Sequence, residues 1–238
     1  MPPELQGDVV LVKTGAIRFS GKPPSLKPFA VKEFKLGAVQ GGPGPVDIPF
    51  WLRELNPFPG FTLDSLTIQQ NFSFVLVRED APAVPRVAVR CGWGLASISG
   101  GVSGRSGGVE MRVPHGNTTL CELQEEAGTE PWKLFLWVGP PSNLIPPEFP
   151  SGGGLVRGEV QYEATSTNTI KPNLLGLNPA MITATFFRKE GRTVTAVERL
   201  TPGRVLMDCS VPPAEQSLFV AIGAALFIRD GVAVKYEH

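Results

Sequence analysis

The 238-residue sequence has only two histidines and three cysteines, which limits the chemistry that it can support. His115 and His238 lie far apart, and Cys91, Cys121 and Cys209 contain no C-x-x-C pair. Metal sites and disulfide frameworks normally use clustered ligands or closely patterned cysteines. We therefore expect no metal, no cofactor and three reduced, mostly buried thiols.

A net charge and a long apolar run are also missing. The 22 basic residues balance the 22 acidic residues, and the pI is near 6.7, so no overall field attracts polyanions. The longest apolar run, LFVAIGAALFI at 218–228, has 11 residues, whereas a helix needs about 20 to cross a bilayer. The opening residues MPPELQGD do not resemble a signal peptide. The sequence predicts a soluble protein that is made inside the cell and does not contact membranes.

Two tripeptides match the N-glycosylation pattern, Asn71-Phe72-Ser73 and Asn117-Thr118-Thr119. The first lies inside a strand-like run, and no secretion signal accompanies either of them. We interpret both tripeptides as chance matches.

What the sequence does contain is a series of short strand-like runs. Its 27 glycines and 24 prolines are spread along the whole length, a distribution that breaks long helices. Between them lie runs rich in Val, Ile, Thr, Phe and Trp, which favour strands. The run 132–139 carries aromatic side chains on both faces and is expected to be an interior strand. The predicted strands are 8–17, 29–39, 65–80, 85–93, 108–113, 118–126, 132–139, 155–166, 181–190, 192–200 and 203–211.

The residues 217–237 are predicted to form a β-hairpin. The runs SLFVAIGAALFI and VAVKYE flank Arg229-Asp230-Gly231, and an Asp-Gly pair supplies the positive backbone angles of a tight turn. Only residues 48–55 and 173–178 look helical, and no repeated βαβ pattern appears. The sequence therefore predicts an all-β, antiparallel sandwich or jelly roll of one domain. Two small β domains divided at residues 151–154 are the alternative.

One pentapeptide, Gly104-Arg105-Ser106-Gly107-Gly108, matches the G-x-S-x-G signature of hydrolase nucleophiles. That signature requires a buried strand before the serine, a helix after it, and a histidine base. Here a polar, glycine-rich stretch precedes Ser106 and a strand-like run follows it. We interpret the stretch that begins at Gly94 as a mobile loop between two strands, and Ser106 as a loop residue.

Other candidate residues have structural explanations as well. Glu122, Glu125 and Glu126 are the nearest approach to a glycosidase-type acid pair, and we interpret them as a solvated strand end. Six aromatic residues are candidates for stacking on sugars or RNA, but we interpret them as packing residues: Trp51, Trp93, Trp132, Trp137, Phe72 and Phe74. No catalytic, cofactor-binding or metal-binding residue is predicted, and the protein is not expected to be an enzyme.

Several segments follow one another in an order known from one group of proteins. Helix-like IPFWLREL precedes SLTIQQNFSFVLVRE, and RVAVRCGW follows a proline-containing loop. TTLCELQEEAGTEPWKLFLWVG combines an acidic strand end, a short loop and a Trp-led strand, and RGEVQYEATS, ITATFF and ALFIRDGVAVKYE come after it. In this order the sequence resembles capsid proteins of plant picorna-like viruses, the group of comoviruses, nepoviruses and cheraviruses.

The resemblance implies an eight-stranded jelly roll with long loops and one or two short helices. Residues 1–27 would form an N-terminal extension and residues 28–238 the capsid domain. The implied function is structural: a subunit that assembles with copies or sister subunits into an icosahedral shell around positive-strand RNA, with non-specific RNA contacts. It would belong to the virion and assemble in the host cytoplasm. The alternative function is a carbohydrate- or ligand-binding β-sandwich module.

Overall fold

Eleven strands and one long helix make up the described part of the chain. The computed structural model describes residues 5, 9–13, 23–38, 61–104, 107–126, 128, 130–138, 152–167, 183–199 and 203–233. The strands are β1 (Val9–Lys13), β2 (Phe29–Leu36), β3 (Phe61–Arg78), β4 (Val87–Gly104), β5 (Gly107–Glu125), β6 (Trp132–Val138), β7 (Gly152–Arg157), β8 (Val160–Thr167), β9 (Ala184–Lys189), β10 (Arg192–Glu198) and β11 (Arg204–Asp208). The helix, α1, is Pro213–Ala233.

All eleven strands belong to one antiparallel sheet in the order β1-β11-β10-β9-β8-β7-β6-β5-β4-β3-β2. From β2 to β11 each strand pairs with the next strand along the chain, so the sheet is a meander. β1 joins the opposite edge, where all five of its residues pair with β11. Residues 152–154, a possible domain boundary in the sequence, are part of β7 and pair with both β6 and β8.

The sheet curls around α1. Residues 217–229 of the helix are all buried, and a helix that is apolar on every side must be covered on every side. The helix contacts β3, β4 and β5 near one edge of the sheet and β11 near the other. In the middle, the Phe219 ring lies edge-on to Tyr162 of β8, with 5.4 Å between ring centroids, and 5.7 Å from Phe187 of β9. Contacts from both edges and the centre require a curled sheet.

Alternation along the strands separates an inner face, which packs on α1, from an outer face. On β4, Val87, Val89 and Cys91 are buried in the core, whereas Ala88 and Arg90 between them are exposed. β6 is different, because Phe135 and Trp137 on its outer face are also buried. The prediction that 132–139 forms an interior strand is confirmed, since β6 pairs with both β5 and β7.

Buried polar contacts hold both ends of α1. At its N-terminal end the Tyr162 hydroxyl donates a hydrogen bond to Glu215 over 2.7 Å. Burial, reinforced by that carboxylate, raises the pKa of Tyr162 far above its ordinary value. Since the hydroxyl keeps its proton, it remains the donor in this contact.

At the C-terminal end, Asp230 accepts hydrogen bonds from Arg199 Nε over 2.6 Å and from Arg229 Nη1 over 2.8 Å. The Arg199 side chain is 4% exposed and that of Asp230 is 24% exposed. Burial alone would raise the pKa of Asp230, but the Arg199 guanidinium, assisted by Arg229, lowers it below its ordinary value. Two cations also suit the negative end of the helix dipole.

The predicted C-terminal hairpin is wrong, because residues 213–233 form α1. Asp230 and Gly231 lie inside its last turns and not at a reversal of the chain. The run 218–228 is apolar at almost every position, so it has no alternation that distinguishes a strand from a helix buried on all sides. Its alanines favour a helix, and Pro213 suits a first helical position.

The all-β, antiparallel class is confirmed, but the eight-stranded jelly roll is not. A jelly roll divides eight strands between two sheets, whereas the eleven described strands form one sheet in nearly sequential order. α1 occupies the place of a second sheet, which lets one curled sheet bury its own inner face. The predicted helices 48–55 and 173–178 lie outside the described residues.

Strands β3, β4 and β5 are 18, 18 and 19 residues long. Residues 61–68, 95–104 and 107–116 pair only among these three strands in the described structure, and we call them the three-stranded extension. The mobile loop predicted from Gly94 onward is wrong, because β4 and β5 stay paired as far as Gly104 and Gly107. On its other side, β3 pairs with this glycine-rich stretch as far as Gly100. Arg105 and Ser106 lie outside the described residues.

Cys91 and Cys121 form a disulfide between β4 and β5. The two residues face each other in the strand register, with 4.1 Å between their Cα atoms. The prediction of three reduced thiols is wrong for this pair, because register brings together positions that are 30 residues apart in sequence. Both are buried, as predicted, whereas Cys209 is free and exposed.

Candidate functional site

The three glutamates singled out in the sequence do not form an acid pair. Glu125 is bound to Arg157, with 2.5 Å between carboxylate and guanidinium, and Glu126 lies 4.0 Å from Arg86. Glu125 is the last residue of β5 and Glu126 follows it. The predicted solvated strand end is confirmed for Glu126, whose side chain is 66% exposed, but not for Glu125, whose side chain is 14% exposed. Glu122 is exposed on the outer face, in the groove described below.

The aromatic candidates are packing residues wherever their side chains are described. The five concerned are all buried: Phe72, Phe74, Trp93, Trp132 and Trp137. Trp51 lies outside the described residues. The interpretation of these five side chains as core is confirmed, and stacking on sugars or RNA needs other residues.

Neither a metal cluster nor a membrane helix is found in the described ranges. No three His, Cys, Asp or Glu side chains among those residues are close enough to hold a metal ion. None of the helical residues described makes a segment both long and apolar enough to cross a membrane.

A groove with a volume of about 540 Å³ lies on the outer face of the sheet. We call it the outer groove. Four neighbouring strands and the residue that follows β2 supply its walls and floor: Lys35, Gly37, Asn71, Phe72, Ser73, Arg90, Cys91, Gly92, Leu120, Cys121 and Glu122.

One row of side chains across the outer groove contains three charged residues and a serine. Lys35 lies opposite Ser73, Ser73 opposite Arg90, and Arg90 opposite Glu122. Adjacent strands are about 4.8 Å apart, so Lys35 and Arg90 are separated by roughly 10 Å across two strand spacings. The groove therefore presents two cations and then a carboxylate in a fixed order.

The next row of residues along the strands explains why the surface is concave at the outer groove. Asn71 lies opposite Gly92, and Gly92 opposite Leu120. Because Gly92 has no side chain, the row is low between the asparagine and the leucine. Gly37 closes the side next to β2, where its N–H donates to the Asn71 carbonyl over 2.8 Å.

The floor of the outer groove is braced from below. The disulfide between Cys91 and Cys121 links β4 to β5. These cysteines are the sequence neighbours of Arg90 and Glu122, which line the groove. Gln70 Nε2 donates to the Gly37 carbonyl over 2.7 Å and ties the end of β2 to β3. The side chains of the groove are therefore mounted on a preformed surface.

Lys35 and Arg90 are exposed and form no salt bridge with any side chain that the structure describes. Several other cations of the described sheet are paired: Lys32 with Glu79, Arg157 with Glu125 and Arg192 with Asp208. Cations in a concave site that have no salt-bridge partner among the described residues suit an anionic ligand.

Sequence reasoning did not identify these cations as binding residues. Alternation alone places Arg90 and Glu122 on the faces opposite to Cys91 and Cys121, but it does not show which strands are neighbours. The groove depends on the register of β2 to β5, which only the folded sheet defines.

Comparison with family models, with curated proteins and with solved structures gives no match to this chain. Its function must therefore be argued from the outer groove and the surface around it.

Proposed function

We propose that the protein is a binding module that holds a small anionic ligand in the outer groove. The observation that supports this proposal most directly is that Lys35 and Arg90 lie in a concave, braced site and have no salt-bridge partner among the described residues. A guanidinium binds carboxylate, sulfate or phosphate oxygens through charge-assisted hydrogen bonds. No covalent chemistry is needed for this role.

Among anionic ligands, an acidic carbohydrate suits a groove that is lined by charged, polar and apolar side chains. The cations would bind its carboxylate, while the Asn71 amide and the Glu122 carboxylate are hydrogen-bonding partners for ring hydroxyls. Leu120 offers an apolar surface to the ring itself. This proposal develops the alternative of a carbohydrate- or ligand-binding module, without the aromatic stacking that the buried tryptophans cannot provide.

Substituting Arg90 by alanine should weaken binding of a hexuronic-acid oligosaccharide by roughly 10- to 100-fold, the range for losing a hydrogen bond to a charged group. Isothermal titration calorimetry would measure the affinity, which should also fall as salt is added. Arg188→Ala, on the outer face of β9, is the matched control and should bind normally. Unchanged affinity in Arg90→Ala, or equal affinity for a neutral hexose oligosaccharide, would contradict the proposal.

A shell-forming subunit is the second candidate, and the three-stranded extension favours it. The extension offers long paired strands that pair with no other strand in the described structure, an arrangement suited to a neighbouring subunit. In this candidate copies or sister subunits would enclose positive-strand RNA, and the curled sheet would take the place of the jelly roll.

Assembly is tested by size-exclusion chromatography and electron microscopy of the full chain. Closed particles, formed with or without added RNA, would support the shell. A stable monomer of 25.5 kDa under all these conditions would exclude a shell built from this chain alone.

A further inference from the structure

Asn71 lies at the rim of the outer groove, and its side chain is exposed. Ser73, two positions along β3, lies on the same face, because successive side chains of a strand alternate. Phe72 between them is buried in the core. The Asn71-Phe72-Ser73 tripeptide therefore presents both its amide and its hydroxyl outward, although it lies within a strand.

The second tripeptide of this type has a different setting. Asn117 is only partly exposed, and Thr118 and Thr119 are 1% and 3% exposed. A bulky glycan at Asn117 would have less room than one at Asn71.

The Cys91–Cys121 disulfide supplies an independent observation. Disulfides persist in oxidising compartments such as the secretory pathway, where asparagine-linked glycans are also attached to surface positions. The strand that carries Cys91 pairs directly with the strand that carries Asn71. One region of the sheet thus combines an outward-facing acceptor tripeptide with a disulfide, a bond typical of the secretory pathway.

We propose that Asn71 is an N-glycosylation site. A lipid-linked oligosaccharyl diphosphate is the donor. A bond forms between Asn71 Nδ2 and the anomeric carbon of the first sugar, the bond from that carbon to the diphosphate oxygen breaks, Nδ2 loses a proton, and the lipid diphosphate leaves. The attached glycan would stand over the outer groove and restrict access to Arg90. This last effect rests on the proposed ligand-binding function, whereas the modification itself does not.

The test is to express the full chain behind a cleavable signal peptide in eukaryotic cells and to weigh the secreted protein. We expect a glycan mass that peptide N-glycosidase removes, with Asn71 converted to Asp in the corresponding peptide. Asn71→Gln and Ser73→Ala should abolish this mass. Ser73→Thr, which preserves the tripeptide, and Asn117→Gln should retain it.

An unmodified Asn71 in the secreted chain, or a glycan confined to Asn117, would overturn the proposal. Ligand affinity is measured separately on bacterially produced, unglycosylated protein. A groove that fails to bind there would refute the binding function and leave the glycosylation result unaffected. If the groove does bind, the glycosylated protein should show lower affinity than the bacterially produced, unglycosylated chain.

Discussion

Replacing Asp230 by alanine should lower the free energy of unfolding by about 3–5 kcal/mol, the usual cost of removing one partner from a buried ion pair. The substitution leaves the Arg199 side chain, which is 4% exposed, without the carboxylate that it contacts through two nitrogens. Arg229 loses its bond to the same carboxylate. Urea denaturation monitored by circular dichroism would measure the loss.

Asp80→Ala is the matched control, because Asp80 pairs with Arg78 on the surface and exposed pairs contribute little. If Asp230→Ala were as stable as Asp80→Ala, the ion pair at the end of α1 would not stabilise the fold.

The same substitution should change how stability depends on pH. The pKa of Asp230 is lower in the folded protein than its ordinary value of 3.8. Its contribution is therefore complete above that value and is lost as the pH falls through the folded pKa. Below about pH 4, the difference in stability between the wild type and Asp230→Ala should shrink, and urea midpoints measured from pH 7 to pH 3 would show it.

Replacing Phe219 by alanine should cost about 3–5 kcal/mol, which is typical of truncating a fully buried phenylalanine. Its ring packs against Tyr162 and Phe187 on two neighbouring strands, and the curled sheet leaves little freedom to close the cavity. The urea midpoint should fall while the slope of the transition remains the same.

Phe219→Leu, which fills most of the space, should lose much less stability than Phe219→Ala. A loss below about 1 kcal/mol for the alanine variant would be outside the range for buried phenylalanine and would contradict the position of this ring at the centre of the sheet. The two variants thus test whether the segment that the sequence predicted to be a strand packs in the core as part of α1.

Most strands were predictable because they alternate or end at glycine and proline. β6 is the clearest case, since its aromatic residues on both faces required cover on both sides. The exceptions are the predicted strand 155–166, which contains the turn between β7 and β8, and the predicted strands 108–113 and 118–126, which are both parts of β5. α1 was not predictable in the same way, because 218–228 has no polar positions from which a period can be counted. The apparent turn at Asp230-Gly231 then favoured a hairpin, although Asp230 is an ion-pair partner.

The disulfide and the outer groove were not predictable because both depend on pairing between distant segments. Cys91 meets Cys121, and Arg90 meets Glu122, only when β4 and β5 have a particular register. A shift of one residue would move each of these side chains to the other face. The sequence shows which residues alternate, but not which residues of other strands they will meet.

The position of α1 after all eleven strands has a consequence for how the chain is made. During translation the strands leave the ribosome before the helix that covers their inner face, and the early strand β1 cannot pair until β11 has emerged. Nascent chains that lack α1 expose apolar residues of β3 to β6, the type of surface that aggregates or recruits chaperones. The core therefore closes only after the helix has been synthesised, which makes final folding a late event for this protein.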